Sequence, residues 1–140
     1  MSKIGFIGMG NMGYAIMSGL LTGRPKKDLV FSCKRKEHAS EVKKATGVLP
    51  AADNKTCAKE SDILILAVKP QIYDAVLKEI APEMNKKKII VSLAPGITIA
   101  DLKKKLGEET KIARIMPNTP ALVKEGMTGI EYSDRDFTAA

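Results

Sequence analysis

A chain of 140 residues that is 44% hydrophobic and 28% charged has the size and balance of one ordinary globular domain with its own core. No stretch approaches the roughly 20 apolar residues of a membrane span and no leader pattern opens the chain, so a cytoplasmic protein without membrane contact is expected. The net charge of +7 lies in short clusters: Lys26-Lys27, Lys34-Arg35-Lys36 and Lys86-Lys87-Lys88 at loops or exposed helix ends, and Lys103-Lys104-Lys105 as helix C-terminal cations before Gly107. Aromatics do not interleave with them, so no nucleic-acid partner is expected.

Short apolar runs alternate along the chain with longer amphipathic ones, the pattern of a parallel sheet covered by helices. Residues 3–7 read as a first strand. Residues 11–21 carry Met12, Ala15, Ile16 and Leu20 at helical spacing and stop at Gly23 and Pro25. A second strand spans 29–33, and a helix over about 37–45 ends at Gly47, a natural left-handed position. Asp53 caps a short helix through Cys57 and Ala58. The unbroken apolar run at 63–68 is what a strand buried on both faces requires. Pro70 begins a helix over 71–80 with Ile72, Val76, Leu77 and Ile80 on its inner face. A strand at 88–93 follows, then a helix at 99–106 between Thr98 and Gly107, a strand at 111–116 and a further one at 127–132. With no repeat or linker, residues 1–140 are expected to form a single doubly wound α/β domain with a mainly parallel sheet.

Candidates for acid–base or metal chemistry are few. Cys33 and Cys57 stand far apart, in no Cys-x-x-Cys pair, and read as reduced thiols. His38, the only histidine, lies among Lys36, Glu37 and Glu41 at a polar helix start and reads as solvated, with no chemistry assigned. No catalytic triad, Cys-His pair or metal site is expected.

Gly8-Met9-Gly10-Asn11-Met12-Gly13 fits G-x-G-x-x-G directly after a strand and at the opening of a helix. Gly8 permits the tight turn, Gly10 lets backbone approach a pyrophosphate, and Gly13 lets the helix pack closely on the sheet. Amides of the first helical turn then face the phosphates. The pattern points to the Rossmann NAD(P)-binding fold; its plain alternative is a glycine turn that only packs the helix. NAD-binding domains place Asp or Glu at the end of the second strand to accept from the ribose 2′-hydroxyl. Here Ser32-Cys33-Lys34-Arg35-Lys36 stands there, with no acid before Glu37. A carboxylate repels a 2′-phosphate whereas Lys34 and Arg35 attract it, so NADP is the expected cofactor and a solvated basic turn the plain alternative.

Three further segments carry a resemblance: Ala67-Val68-Lys69-Pro70-Gln71, the run from Arg114 through Met116-Pro117-Asn118-Thr119-Pro120-Ala121-Leu122 to Val123, and Glu125-Gly126-Met127-Thr128. With the glycine motif, in this order and spacing, the chain resembles the pyrroline-5-carboxylate reductases. The resemblance implies NADPH-dependent reduction of 1-pyrroline-5-carboxylate to L-proline, the last step of proline biosynthesis. It implies cofactor contacts from Asn54 at the adenosine, from Ala67, Val68, Lys69 and Pro70 near the ribose, and from Ala94, Pro95 and Gly96 on the nicotinamide side. Asn118 and Thr119 would stand beside the nicotinamide and bind substrate. Pro95 departs from the family's usual small residue and cannot donate an amide bond. Cys33 and Lys34 replace a common Asn-Arg while keeping the positive charge.

No general acid is named, because the cofactor carries the hydride chemistry and the protein supplies positioning. Full-length members of that family are homo-oligomers, built on a C-terminal helical domain that contacts the substrate and is expected to be absent from these 140 residues. Two other readings stay open: a β-hydroxyacid dehydrogenase-like reductase, and a stand-alone NADP-binding module without turnover.

Overall fold

The computed structural model describes residues 3–94, 96–117 and 128–132. Among the described residues six strands form one sheet: β1 (Ile4–Ile7), β2 (Leu29–Ser32), β3 (Ile63–Leu66), β4 (Ile89–Ser92), β5 (Lys111–Pro117) and β6 (Thr128–Tyr132), in the order β2-β1-β3-β4-β5-β6. The strands from β2 to β5 run parallel, and β6 closes the edge antiparallel to β5. Gly5 lies opposite Val30 on one side and Leu64 on the other, so β1 is central and all of its residues are buried.

Five α-helices among the described residues cover the faces: α1 (Asn11–Leu20), α2 (Lys36–Thr46), α3 (Asn54–Glu60), α4 (Tyr73–Ile80) and α5 (Ile99–Leu106). The period of two along each strand divides the core. Ile7, Leu64, Leu66, Ile90 and Ile112 meet α3, α4 and α5 through Cys57, Ala58, Val76, Leu77, Ile80, Leu102 and Leu106. Ile4, Phe6, Phe31, Ile65 and Val91 point to the other side, where α1 and α2 contribute Met17, Ala39 and Val42. The central strands β1 and β3 are apolar throughout because each faces a hydrophobic layer on both sides.

Helix ends follow their sequence signals. The Asp53 carboxylate accepts from the Thr56 amide at 2.7 Å, and Thr98 and Asp101 form a reciprocal capping box at 3.1 and 3.2 Å. Those amide bonds hold both carboxyls below their ordinary value. Gly47 ends α2 at φ 78°. Lys88 ends α3 differently: its ammonium donates to the carbonyls of Ala58, Lys59 and Ser61 at 2.8, 3.1 and 2.6 Å.

Lys103, Lys104 and Lys105 stand in the last turn of α5 before Gly107, as expected, with Lys103 itself buried. One expectation here needs correction. Ile72 is not on an inner helical face but 43% exposed, because Pro70–Ile72 form a 3-10 turn and the α-helix proper starts at Tyr73. Tyr73 takes the inner position instead. Its hydroxyl donates to the Leu66 carbonyl at 3.0 Å and pairs with the Ser92 hydroxyl at 3.1 Å, joining the ends of β3 and β4. Burial pushes the Tyr73 hydroxyl above its ordinary pKa.

Tyr73→Phe keeps the ring but leaves the Leu66 carbonyl and Ser92 hydroxyl short of a partner, so it should cost about 1–2 kcal/mol. A urea unfolding curve with a lower midpoint and unchanged slope is the expected result, and an unchanged midpoint would show that the hydroxyl contributes nothing.

Candidate site at the ends of the parallel strands

The carboxyl ends of β2, β1, β3 and β4 are tied together by backbone bonds. Gly8 donates to the Ser32 carbonyl at 3.0 Å, Ala67 to Ile7 at 2.8 Å and Leu93 to Leu66 at 3.3 Å. After Ile7 the chain turns at Gly8 with φ +90°, where a Cβ would lie 2.7 Å from Val68 Cγ1 and 2.8 Å from the Ala67 carbonyl oxygen. Only glycine satisfies both the dihedral and the space. Gly13 is needed for proximity alone: a Cβ there would stand 2.9 Å from the Gly8 carbonyl oxygen and 3.1 Å from Ala67 Cβ.

Gly10 differs in kind. It is exposed, and a Cβ built on it would meet nothing within 4 Å. It is also the N-cap of α1, with no side-chain capping bond and no acidic residue in the first turn. The first intrahelical bond runs from the Tyr14 amide to the Gly10 carbonyl at 2.9 Å. The amides before it point out of the helix with the positive end of the dipole behind them. An open volume over Gly10 and uncapped donors fit the diphosphate of a dinucleotide, so the residues present suit such a group.

Lys34 and Arg35 follow β2, both exposed, and Arg35 is the N-cap of α2, again without a side-chain cap. Asn54 opens α3 beside the end of β2. Its Oδ1 accepts from the Ser32 hydroxyl at 2.5 Å, and its Nδ2 donates to Glu79 at 3.2 Å. Ala67 and Val68 sit against Gly8, and Lys69 and Pro70 are exposed at the start of the 3-10 turn. Ala94 is buried beyond β4, with its amide on the Ser92 hydroxyl at 3.4 Å, and Gly96 turns at φ +80°. Pro95, Asn118 and Thr119 lie outside the described residues.

His38 needs a further correction, because it is not simply solvated. Its Nε2 lies 2.5 Å from the Met9 carbonyl oxygen and its Nδ1 3.6 Å from Glu41. With Met9, Gly10, Asn11, Tyr14 and Ser18 it lines a cavity of about 350 Å³ between the glycine turn and α2. The only hint in the sequence was position: a residue three places after Arg35 lies one turn into α2, on the side of Arg35 itself. Cys57, by contrast, is sealed in the core, where burial pushes its thiol up to about 12. Among the described residues no group of three or more His, Cys, Asp or Glu could hold a metal ion, and no helix is long and apolar enough to cross a membrane.

A glycine turn wedged between the ends of parallel strands, with an uncapped helix behind it, defines a doubly wound dinucleotide-binding domain of the Rossmann type. The chain belongs to the family described as NADP oxidoreductase, coenzyme F420-dependent, whose profile matches residues 3–96. It is 41% identical to pyrroline-5-carboxylate reductase of Escherichia coli (strain K12) over 131 residues, which are 91% of this chain and 48% of that protein. It is 41% identical to pyrroline-5-carboxylate reductase 3 of Danio rerio over 126 residues, 89% of this chain and 43% of that protein. The pyrroline-5-carboxylate reductase structure from Coxiella burnetii superposes with a TM-score of 0.89 at 34% identity, over 95% of this chain and 50% of that one. The Plasmodium falciparum pyrroline carboxylate reductase, solved with NADP bound, gives 0.82 at 34% identity, over 94% and 48%. The chain thus spans about half the length of the curated relatives it matches.

Gly10→Val tests the loop directly. Gly10 has φ −79° and ψ −167°, a conformation any residue adopts, so valine should fold normally, within about 0.5 kcal/mol of the parent. Its side chain would fill the volume above the turn, and dinucleotide binding measured by calorimetry should be lost. Normal binding by a folded variant would mean that the turn is not the phosphate site.

Proposed function

We propose that residues 1–140 form a single NADP-binding domain and act as the cofactor half of a pyrroline-5-carboxylate reductase. The observation that carries this reading is the open, uncapped glycine turn beside a basic β2 end with no acid before Glu37. The similarity to reductases of that name supports it. The reading includes a cytoplasmic location, a small-molecule substrate and a homo-oligomeric whole protein.

The chain's own residues then divide the work. The backbone of Gly8, Met9, Gly10, Asn11, Met12 and Gly13 receives the diphosphate, with the amides of the first turn of α1 as donors. Lys34 and Arg35 take the 2′-phosphate, for which a carboxylate at that place would be repulsive. Asn54 has a second lone pair and a second N–H beyond those used by Ser32 and Glu79, which suffice for an adenosine contact. Ala67, Val68, Lys69 and Pro70 bound the ribose, and Ala94, Pro95 and Gly96 the nicotinamide side. Asn118 and Thr119 hold the substrate beside it. Bound NADPH would supply the hydride that the C=N carbon of the pyrroline ring accepts. The protein's part is to fix the ring over that carbon and exclude water, which needs no titrating catalyst.

Two measurements test the reading. Each charged contact to the 2′-phosphate contributes on the order of 1.5–3 kcal/mol. NADPH should therefore bind more tightly than NADH, and the double variant Lys34→Ala/Arg35→Ala should erase the difference. Equal affinities in the parent chain would overturn the cofactor assignment.

The second concerns turnover. Positioning both reactants lowers the barrier by roughly 7–11 kcal/mol, and these 140 residues match only about half the length of the relatives. The chain alone should bind NADPH yet reduce pyrroline-5-carboxylate far more slowly than a typical enzyme's roughly 10 per second. Adding the helical half of a full-length relative should raise the rate. Full turnover by the chain alone would show that these residues hold a complete active site, and no turnover in any mixture would favour a binding module.

A further inference from the structure

We infer that His38 is a positioning residue of the glycine turn, setting the direction of the Met9–Gly10 peptide and through it the donors offered to the diphosphate. The inference rests on the cofactor reading above and goes beyond it, since it concerns a side chain that need not touch the cofactor.

The geometry begins with a carbonyl. The Met9 oxygen can only accept, so the His38 nitrogen 2.5 Å away must carry a proton, which fixes the ring with Nε2–H toward the turn. The other ring nitrogen lies 3.6 Å from the exposed Glu41 carboxylate, beyond hydrogen-bond length. The ring's support is firm: the next residue, Ala39, is buried in the core, with its amide on the Arg35 carbonyl at 3.0 Å.

The turn needs such a hold at this point. Gly8 is wedged against Ala67 and Val68, and the Met9 side chain is 3% exposed, so both are fixed by packing. Gly10 has no side chain and open space where one would be, so no side chain of its own helps to fix the peptide between Met9 and Gly10. A trans peptide is planar and its C=O and following N–H point in opposite directions; the described peptides are all trans. Holding the Met9 oxygen against α2 therefore turns the Gly10 N–H away from α2. A bond spanning 29 residues thus fixes the one peptide of the turn that glycine leaves loose.

The diphosphate is common to NADPH and NADH, which separates this role from that of Lys34 and Arg35. His38→Leu keeps bulk and removes the donor. It should weaken NADPH and NADH binding by the same factor, about five- to tenfold, as expected for one lost hydrogen bond. His38→Gln can place an amide N–H where Nε2 stands and should recover both affinities, whereas the shorter His38→Asn should not. Melting temperatures recorded alongside separate a general loss of fold, which would not follow this pattern.

A loss confined to NADPH would mean that His38 contacts the 2′-phosphate itself, and parent-like binding by His38→Leu would mean that the bond is idle; either overturns the inference. Nuclear magnetic resonance of the cofactor-free chain gives an independent reading. It should show the proton on Nε2, and a Gly10 amide signal that moves in His38→Leu and returns in His38→Gln. If the parent chain binds neither cofactor, the cofactor reading fails by itself, and a Gly10 signal indifferent to His38 would sink this one.

Discussion

The turn at Gly8 is the constraint from which the rest of the site follows. At φ +90° with carbonyl and methyl groups 2.8 and 2.7 Å from the place of a Cβ, it lets the backbones of β1 and the segment after β3 meet without a side chain between them. Any other residue would carry the left-handed penalty of about 1–2 kcal/mol and the clash as well. Because the turn is this tight, α1 must start directly over the sheet, and Gly13 in turn must accept the Gly8 carbonyl at its side. The surface left facing the strand ends is therefore backbone, and its polarity is that of unpaired amides at a helix start. A site for an anion is thus a by-product of close packing.

Beneath that surface the strand ends are stiffened by small polar networks. Tyr73 bridges the last residues of β3 and β4, and the Ser92 hydroxyl it meets also receives the Ala94 amide. On the other side of β1, Ser32 and Asn54 join β2 to α3, and Glu79 extends the link to α4. Backbone amides already bond the carbonyls at these strand ends, so the side chains act by giving Leu66 a second partner and by tying the following loops to one another. The groups that satisfy the fold are the same ones that fix the loops around the crevice before any ligand arrives, which is the condition for cheap orientation of reactants.

The sequence carried most of this architecture because most of it is local. Strands buried on both faces read as unbroken apolar runs, Gly47 and the Thr98–Asp101 box mark helix ends by their own chemistry, and a glycine motif between a strand and a helix has few alternative meanings. The departures have non-local or geometric causes. Ile72 and Tyr73 exchange places because Pro70–Ile72 wind as a 3-10 turn, which shifts the phase of α4 relative to a continuous α-helix. Composition around His38 is polar, yet its partner lies 29 residues away, on a turn that only the fold brings to α2. Alternation likewise locates β6 without revealing that it pairs antiparallel to β5. For the site, the glycine turn and the basic β2 end were legible, while the supports that hold them (His38, Tyr73, Glu79) were not, since each acts across separate elements.

That contrast has a consequence for how cofactor choice is built into this chain. The features shared by every dinucleotide reader, the turn and the helix start, are locked into the core through Gly8, Gly13 and the buried Met9. The features that would choose between NADP and NAD, Lys34 and Arg35, stand exposed on a loop. Exposed charges contribute between zero and about 1 kcal/mol to folding, while a charged hydrogen bond to a phosphate is worth on the order of 1.5–3 kcal/mol. On the proposed reading, specificity is thus held by residues whose exchange leaves stability nearly untouched, whereas the turn itself is held by Gly8 and Gly13, whose exchange does not; Gly10, open to solvent, is the exception. A domain arranged this way can change its cofactor by substitution at the end of β2 without disturbing the packing that makes it bind a dinucleotide at all.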